Sequence, residues 1–438
     1  MQSFQLSLFY DLQYFLLHSD FYKKYYLLFK ALDLSYFPSK NFNVGRTGYC
    51  RRAILRAFIV KHLEEIKTVP KLIAFLDAHP ILAEMCGFEI GSIPDESQFY
   101  RFLKETPNSQ IEKIHHRANK KLSEYRVISK DTFIFDSKPV KAATRENNLK
   151  NPNRNNKDKS KKPRRNPAAT LGYYSYQQQE SGKKKFTFYW GYRTHVIISK
   201  EGIPLVEVTL PNSYTDAKVA KKLIKKLKRV FGFKKGAKFI GDAGYDEKEL
   251  YDFIVEQLKC KAYIPINPRN KQPDKTLGSH GAPICEAGIE MRSAGICKEL
   301  RRTRIKFRCP IKASKKEAKK YPDGCPINHF RFTEEKQYGC TKYLDITNDA
   351  RAQVPRDSSH YKNTYKLRTE VERYFARLGE REAEKTTHYK LRSIQNQMTI
   401  AHLSLSLVAV AAAILLEKPE KMRCYLTFPK DIHINLAA

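Results

Sequence analysis

Acidic side chains are the scarce class in this 438-residue chain: 46 Asp+Glu stand against 81 Lys+Arg, leaving a formal charge of +35. An excess of that size goes beyond what solubility requires and points to a polyanionic partner, nucleic acid first. A basic amphipathic anchor is missing, which argues against the rival partner, an acidic membrane surface. The first residues, MQSFQLSLFYDLQYF, have no basic n-region of the kind that begins a signal peptide, so the chain is expected in the cytoplasm, associated with the nucleoid. The run TIAHLSLSLVAVAAAILLEK (399–418) is barely of membrane-span length and carries His402, Ser404 and Ser406, so a buried helix is expected there. Close C-x2-C pairs are also missing among the nine cysteines. In a cytosolic chain these cysteines are thiols or metal ligands rather than a disulfide framework.

The length implies two or three domains. Residues 1–125 read as a basic helical N-terminal domain. RRAILRAFIVKHLEEIKTVPKLIAFLDAHPILAEMCGF spaces its apolar residues by three and four, with breaks at Pro70 and Pro80. GSIPDESQFYRFLKE reads as a turn and then a helix capped by Asp95 or Ser97. A packing module and a DNA-binding domain of helix-turn-helix type are both open for this region.

The next block, 126–268, begins with DTFIFDSKPVKAAT, a short strand from about 131 to 136 ending on Asp136. Residues 138–165 follow with eleven Lys or Arg against two acids; no core is expected in such a run, which suits a solvated loop or a phosphate clamp. KFTFYWGYRTHVIIS and IPLVEVTLPN read as antiparallel strands around the turn KEG. SYTDAKVAKKLIKKLKRVF is an amphipathic helix, KFIGDAGYDEKEL a strand closing on Asp242, DEKELYDFIVEQL a helix, and KAYIPINP a strand. The order β, β, β, α, β, α, β is that of an α/β ribonuclease-H-like core, a mixed sheet with flanking helices, which a final helix should complete. That helix, SHYKNTYKLRTEVERYFARLGE, comes only after irregular, cysteine-bearing sequence. The core is therefore expected to be interrupted by an insertion domain at 269–352, with its last helices at 353–418 and a tail at 419–438.

Two carboxylates at the ends of neighbouring strands repel one another unless a cation sits between them. Asp136 and Asp242 thus call for a metal. Oxygen-only ligation suits Mg²⁺ or Mn²⁺, and in two-ion sites such carboxylates hold the attacking and leaving oxygens of an in-line phosphoryl displacement. A third carboxylate is sought on the late helix, from Glu370 or Glu372. At about 100° per residue Leu367, Val371, Tyr374 and Leu378 form an apolar stripe that must face the core, and Tyr365, Arg368 and Glu372 form a polar face across from it. Glu370 falls outside that cluster, so Glu372 is the choice; the plainer alternative is an Arg368–Glu372 pair on a solvated face. Lys138, Lys141, Arg356, Arg368 and Arg373 are the basic residues nearest these motifs and the ones expected to meet DNA phosphates.

FIFDSKP, FIGDAGYD and Tyr365-x2-Arg368-x3-Glu372 resemble the three catalytic motifs of DDE transposases from bacterial insertion sequences. The last is similar to the tyrosine, arginine, glutamate signature of the branch that carries a β-rich insertion before the glutamate. GSIPDESQFYRF resembles the N-terminal transposase domain that precedes such a core, and VPRDSSHYKNTYKLRTEVERYFARL the segment around the glutamate, so the resemblance spans about residues 45–415. It implies Asp136, Asp242 and Glu372 as a catalytic triad holding two Mg²⁺ or Mn²⁺ ions. Tyr365 and Arg368 then contact the DNA phosphate near the cleaved bond. DNA, as element ends and as target, is the implied partner, and a homodimer is implied because two ends must be brought together. Gly244 is expected to turn the chain after the strand, Tyr245 to pack beneath the site, and Asp246 to cap the next helix, with Asp131 too far back to reach. The signature continues with a lysine seven residues after the glutamate, where this chain has Gly379. Either Arg377 or Arg381 then carries that charge, or end-binding differs. A ribonuclease-H-like nuclease and a non-catalytic DNA-binding relic are the rival readings.

Cys285, Cys297, Cys309, Cys325 and Cys340 are rather evenly spaced in the insertion. Buried free thiols are the ordinary reading; structural Zn²⁺ on Cys285, Cys309, Cys325 and Cys340 is the metal-binding one. His195 is read as a core or strand-face histidine, with a proton relay or DNA contact as the functional alternative, and Trp190 as sheet packing.

Overall fold

The computed structural model describes residues 14–419 apart from 16–17, 41–47, 90, 149–161, 178–183, 268–276, 279, 301, 335–337, 348 and 417–418. The middle of the basic run, the start of the insertion and nearly all of the tail therefore lie outside the described residues.

The N-terminal region is helical: α1 (Asp20–Ala31), α2 (Arg51–Leu63), α3 (Val69–Ala78), α4 (Pro80–Cys86), α5 (Glu96–Glu105) and α6 (Asn108–Glu124). Pro70 and Pro80 fall in the first turns of α3 and α4, where a missing N–H breaks no helical bond. Asp95, not Ser97, caps α5: its carboxylate accepts the Ser97 backbone N–H at 2.7 Å.

Six strands form one mixed sheet: β1 (Thr132–Lys141), β2 (Thr170–Gln177), β3 (Lys184–Ser199), β4 (Pro204–Pro211), β5 (Lys238–Ile240) and β6 (Lys261–Tyr263). The order is β2-β3-β1-β5-β6, with β4 also on β3. β3 and β4 pair antiparallel through the expected turn, which Gly202 completes at φ +82°. α7 (Asp216–Val230) lies between β4 and β5, and α8 (Lys248–Tyr251), continued by a π-helical turn over Asp252–Gln257, lies between β5 and β6.

Two expectations about this sheet are corrected. β1 does not end at Asp136 but runs to Lys141, because β3 is long enough to pair with it throughout, and Val140 and Ala142 are buried. The start of the basic run therefore does contribute to the core. β2 is an additional strand just after that run, held against β3 from Gly191 back to Lys184. Its sequence, TLGYYSYQ, shows little apolar alternation.

The late helical segment is α9 (Ser359–Tyr365), a 3₁₀ turn at Lys366–Arg368 and α10 (Thr369–Glu380), followed by α11 (Leu391–Leu415). Val371, Tyr374 and Leu378 are buried and Leu367 partly so, which is the stripe read from spacing. α11 is long and apolar enough to cross a membrane by length and composition, yet it is largely buried, packed against α1, α2, α5, α6 and β4. A helix surrounded on all sides by protein can be apolar all round. Its polar groups are partnered: Asn396 donates to the carbonyls of Leu103 and Thr106, and His402 meets Thr194 and Tyr374. Through α11 the N-terminal helices and the sheet share one hydrophobic core.

The insertion is less irregular than its sequence reads. β7 (Arg292–Lys298), β8 (Thr303–Arg308) and β9 (Thr341–Asp345) form a separate antiparallel sheet in the order β7-β8-β9. Charged residues are as numerous as apolar ones in these strands, and the small core of the insertion is Ala282, Cys285, Met291, Ile305, Phe307 and Ile346. It is tied to the main body where Asp357, just before α9, accepts the Ser293 N–H at 2.8 Å, and where Arg351 pairs with Asp246.

Candidate active site

The sheet register brings the two strand aspartates together. β1 and β5 run parallel, and their last paired residues are Ile134 and Ile240. Asp136 follows two residues further along β1 and Asp242 two residues past the end of β5, which brings the two carboxylates near enough to influence one another. β5 has ended at that point, while β1 continues along β3 only.

α10 supplies the third carboxylate through an arginine. Arg368 Nη2 lies 3.3 Å from Asp136 Oδ2, and Nη1 donates to Glu372 Oε1 at 2.6 Å. Glu372 therefore does pair with Arg368 along the helix, as the plainer alternative holds, but the same guanidinium also reaches Asp136. Glu370 instead pairs with Arg373, on the side away from this cluster.

The electrostatics are those of crowded anions. Burial, then the neighbouring charge of Asp242, pushes the Asp136 carboxyl up to about 7, and the Arg368 guanidinium opposes the shift. Asp242 is also raised, by burial first; Arg368 and the Gly244 N–H oppose it. Burial pushes the Tyr365 hydroxyl up to about 12, with Arg368 opposing and Asp242 adding to the shift, so this tyrosine stands near both motifs. Its ring stacks on Tyr361, centroids 5.8 Å apart.

Around Asp242 the local roles divide differently from expectation. Gly244 does not adopt a left-handed φ; it is glycine because a Cβ there would come 2.9 Å from the Asp242 Oδ1 atom that its own N–H contacts at 2.8 Å. Tyr245 is buried edge-on against Phe135, at 4.8 Å and 84°. Asp246 does not cap α8, whose N-cap is Glu247; it is buried, pairs with Arg351 and accepts the Asn267 N–H at 2.7 Å.

Sequence reading passed over a fourth carboxylate. Asp216, the first residue of α7, adds negative potential at both Asp136 and Asp242. It accepts from Ser137 Oγ at 3.2 Å and from Arg193 Nη1 at 3.0 Å. The signal was the Asp in SYTDAKVA, a stretch read only as part of an amphipathic helix. His195 is 3.6 Å from the same carboxylate but is 2% exposed, and burial, then Arg193, holds its imidazole down to about 3. It is a neutral strand-face histidine at this site.

A family model described as "Transposase DDE domain" matches residues 128–407, a span holding β1, β5 and α10 together with the insertion. The chain belongs to the DDE transposases. A second model, "Transposase domain (DUF772)", matches residues 11–105, the N-terminal helical region of this transposase. A search of curated proteins returns no match. Among solved structures the transposase is similar to the cryo-EM structure of the piggyBac transposase synaptic complex with hairpin DNA, at 9% identity and TM-score 0.37, covering 93% of this chain and 76% of that one.

One oxygen of Asp136 and one of Glu372 are engaged by Arg368, and among the described residues no group of three or more His, Cys, Asp or Glu is arranged to hold an ion. Their chemistry nevertheless fits a hard divalent cation: oxygen donors only, mutually repelling, and already drawn toward one positive charge.

The other basic residues expected at DNA divide. Arg356 is 5% exposed, and its donors go to the Ile264 carbonyl at 3.0 Å, the Arg351 carbonyl at 2.9 Å and the Tyr251 hydroxyl at 2.8 Å, so its guanidinium fastens the chain ahead of α9. Lys138 bonds the Phe375 carbonyl and pairs with Glu384 at 2.7 Å. Its ammonium lies 3.2 Å from where a Cβ of Gly379 would stand, so a lysine from β1 fills the space beside the position at which the resembling signature has its own lysine. Arg381 bonds the Leu63 carbonyl at 2.9 Å, linking α10 to α2. Lys141 lies over the Tyr174 ring at 5.6 Å, and Arg373 is 64% exposed beside Glu370. Trp190 is buried, with its backbone bonded to Asn147 and Ala142. Cys285, Cys309, Cys325 and Cys340 carry free thiols.

Proposed function

We propose that this DDE transposase binds the terminal inverted repeats of its own element, hydrolyses a phosphodiester there to leave a 3′ hydroxyl, and joins that hydroxyl to target DNA. The observation that supports the reading is that Arg368 bonds both Asp136 and Glu372 while Asp242 stands near enough to feel the same guanidinium. Asp136, Asp242 and Glu372 would hold two Mg²⁺ or Mn²⁺ ions, which supply an activated nucleophile and stabilise the leaving oxygen when bound. Arg368 is the residue whose N–H donors can pass from these carboxylates to the DNA phosphate beside the scissile bond, with Tyr365 one turn earlier on the same helical face. This fits the tyrosine, arginine, glutamate branch of the family. The helices of 1–125 would bind the element end, the insertion at 269–352 would interrupt the core, and two copies would hold the two ends together.

A nuclease with the same fold would cut but not join. Incubating a pre-cut element end with supercoiled plasmid and Mg²⁺ distinguishes the two. The parent protein is expected to give joined product, and Glu372→Gln to give none while still retarding the end DNA in a gel. Cutting without any joining would leave the nuclease reading in its place.

A further inference from the structure

We infer that the insertion binds one zinc ion through the thiolates of Cys285, Cys309, Cys325 and Cys340. In sequence these residues are separated by 24, 16 and 15 positions, yet all four line one small cavity. The cavity has about 10 Å³ open to the centre of a water-sized sphere, room for a single ion and no larger ligand. Cys340 stands near enough to Cys309 and Cys285 for their thiols to interact.

The backbone is shaped to bring them there. The carbonyls of Cys285 and Cys325 each accept the N–H three residues on, from Gly288 at 3.0 Å and Asn328 at 2.9 Å, so each cysteine opens a tight turn. Gly339 holds φ +80° and lies so close to Cys309 that a Cβ would meet the Cys309 Cβ at 2.4 Å, which lets Cys340 come alongside. Among the described residues no three donors already stand at an ion, so binding turns the thiols inward as they deprotonate. Four Zn–S bonds of about 2.3 Å form, four protons pass to solvent, and nothing is oxidised or reduced.

His329 also lines the cavity, but its Nδ1 accepts the Arg331 backbone N–H at 3.1 Å. An acceptor Nδ1 leaves the ring proton on Nε2, which faces Glu286 at 3.6 Å. His329 then has no lone pair for a metal, and Cys325 is the fourth ligand. The need for an ion follows from size: among the described residues the insertion's hydrophobic cluster has six buried members, few to order a three-stranded sheet and its loops without a staple.

The test uses the full chain purified without chelator. Elemental analysis is expected to find one zinc per chain, lost in Cys309→Ser and Cys340→Ser and kept in Cys297→Ser and His329→Ala. Cobalt exchanged into the parent protein should give the strong thiolate charge-transfer absorption of a tetrahedral site, a readout that does not depend on any variant folding. No stoichiometric zinc, a disulfide among these four cysteines, or zinc lost from His329→Ala but kept in Cys325→Ser would overturn the assignment. The measurement involves no DNA, so its failure would leave the proposed transposition untouched.

Discussion

Arg368 is the residue on which the site turns. One guanidinium takes an oxygen from Asp136 and one from Glu372 and lowers the raised affinity of Asp242 for its proton. It was legible because Tyr365, Arg368 and Glu372 recur at three and four along a helix. Arg356 shows the limit of the same reasoning: proximity in sequence to the motifs marked it as a phosphate contact, but burial directs its donors inward, and no spacing rule reports burial. Arg356→Ala is expected to destabilise the protein by about 2–4 kcal/mol, leaving buried acceptors without a donor, with little change in the salt dependence of DNA binding. Urea unfolding and salt-titrated binding measure the two effects separately. Glu207 offers a pH test away from the site. It is 2% exposed, accepts from Thr399 at 2.5 Å, and burial pushes its carboxyl up to about 7. A folded-state pKa above the unfolded one means that the folded protein binds the extra proton, so stability falls as pH rises from about 4.5 to about 7 and the loss then levels off. Glu207→Gln should remove that slope and gain on the order of 2–3 kcal/mol at pH 8 relative to the parent. Equal unfolding midpoint differences at pH 5 and pH 8 would contradict it.

At the scale of elements, β1, β3, β4, β5 and β6 were readable, whereas β2 and the strands of the insertion were not. β1 and β5 announce themselves as apolar runs closed by aspartate, and their parallel pairing up to Ile134 and Ile240 brings the two carboxylates near one another. The length of β1 was hidden because Lys138 and Lys141 look like part of a solvated run, whereas long side chains can lie along a surface with their strand still paired. β7, β8 and β9 were hidden for a related reason, since charged residues interrupt the apolar pattern of each strand. The β1–β3 pairing depends on Gly191, where a Cβ would stand 2.2 Å from the Val140 carbonyl oxygen. Gly191→Ala should force the two strands apart and cost about 1–3 kcal/mol, read as a lowered Tm. An unchanged Tm would mean that β1 beyond Asp136 adds little to the fold.

For the whole molecule, the N-terminal helices and the sheet share one hydrophobic core, while the insertion keeps a small core of its own. Composition shifts near residue 125 mark a change from helix to sheet, but α11, far along the chain, packs against both and joins them. Such a contact is non-local and leaves no trace in the sequence around 125. What composition did convey was the charge: +35 belongs to a protein whose partner is a polyanion. On the proposed function, that field would govern how firmly DNA is held and the three carboxylates whether it is cut. The two properties should therefore separate on mutation.

Single-turnover cleavage of the element's own end DNA in Mg²⁺, compared between the parent and Asp242→Asn at saturating protein, addresses this separation most directly. Parent protein is expected to nick the DNA at the element boundary and leave a 3′ hydroxyl. Asp242→Asn should bind the same DNA with affinity within a few-fold of the parent and yield no detectable nick. An Asp242→Asn protein that cuts as fast as the parent would contradict the assignment of Asp136, Asp242 and Glu372 as one metal-binding cluster.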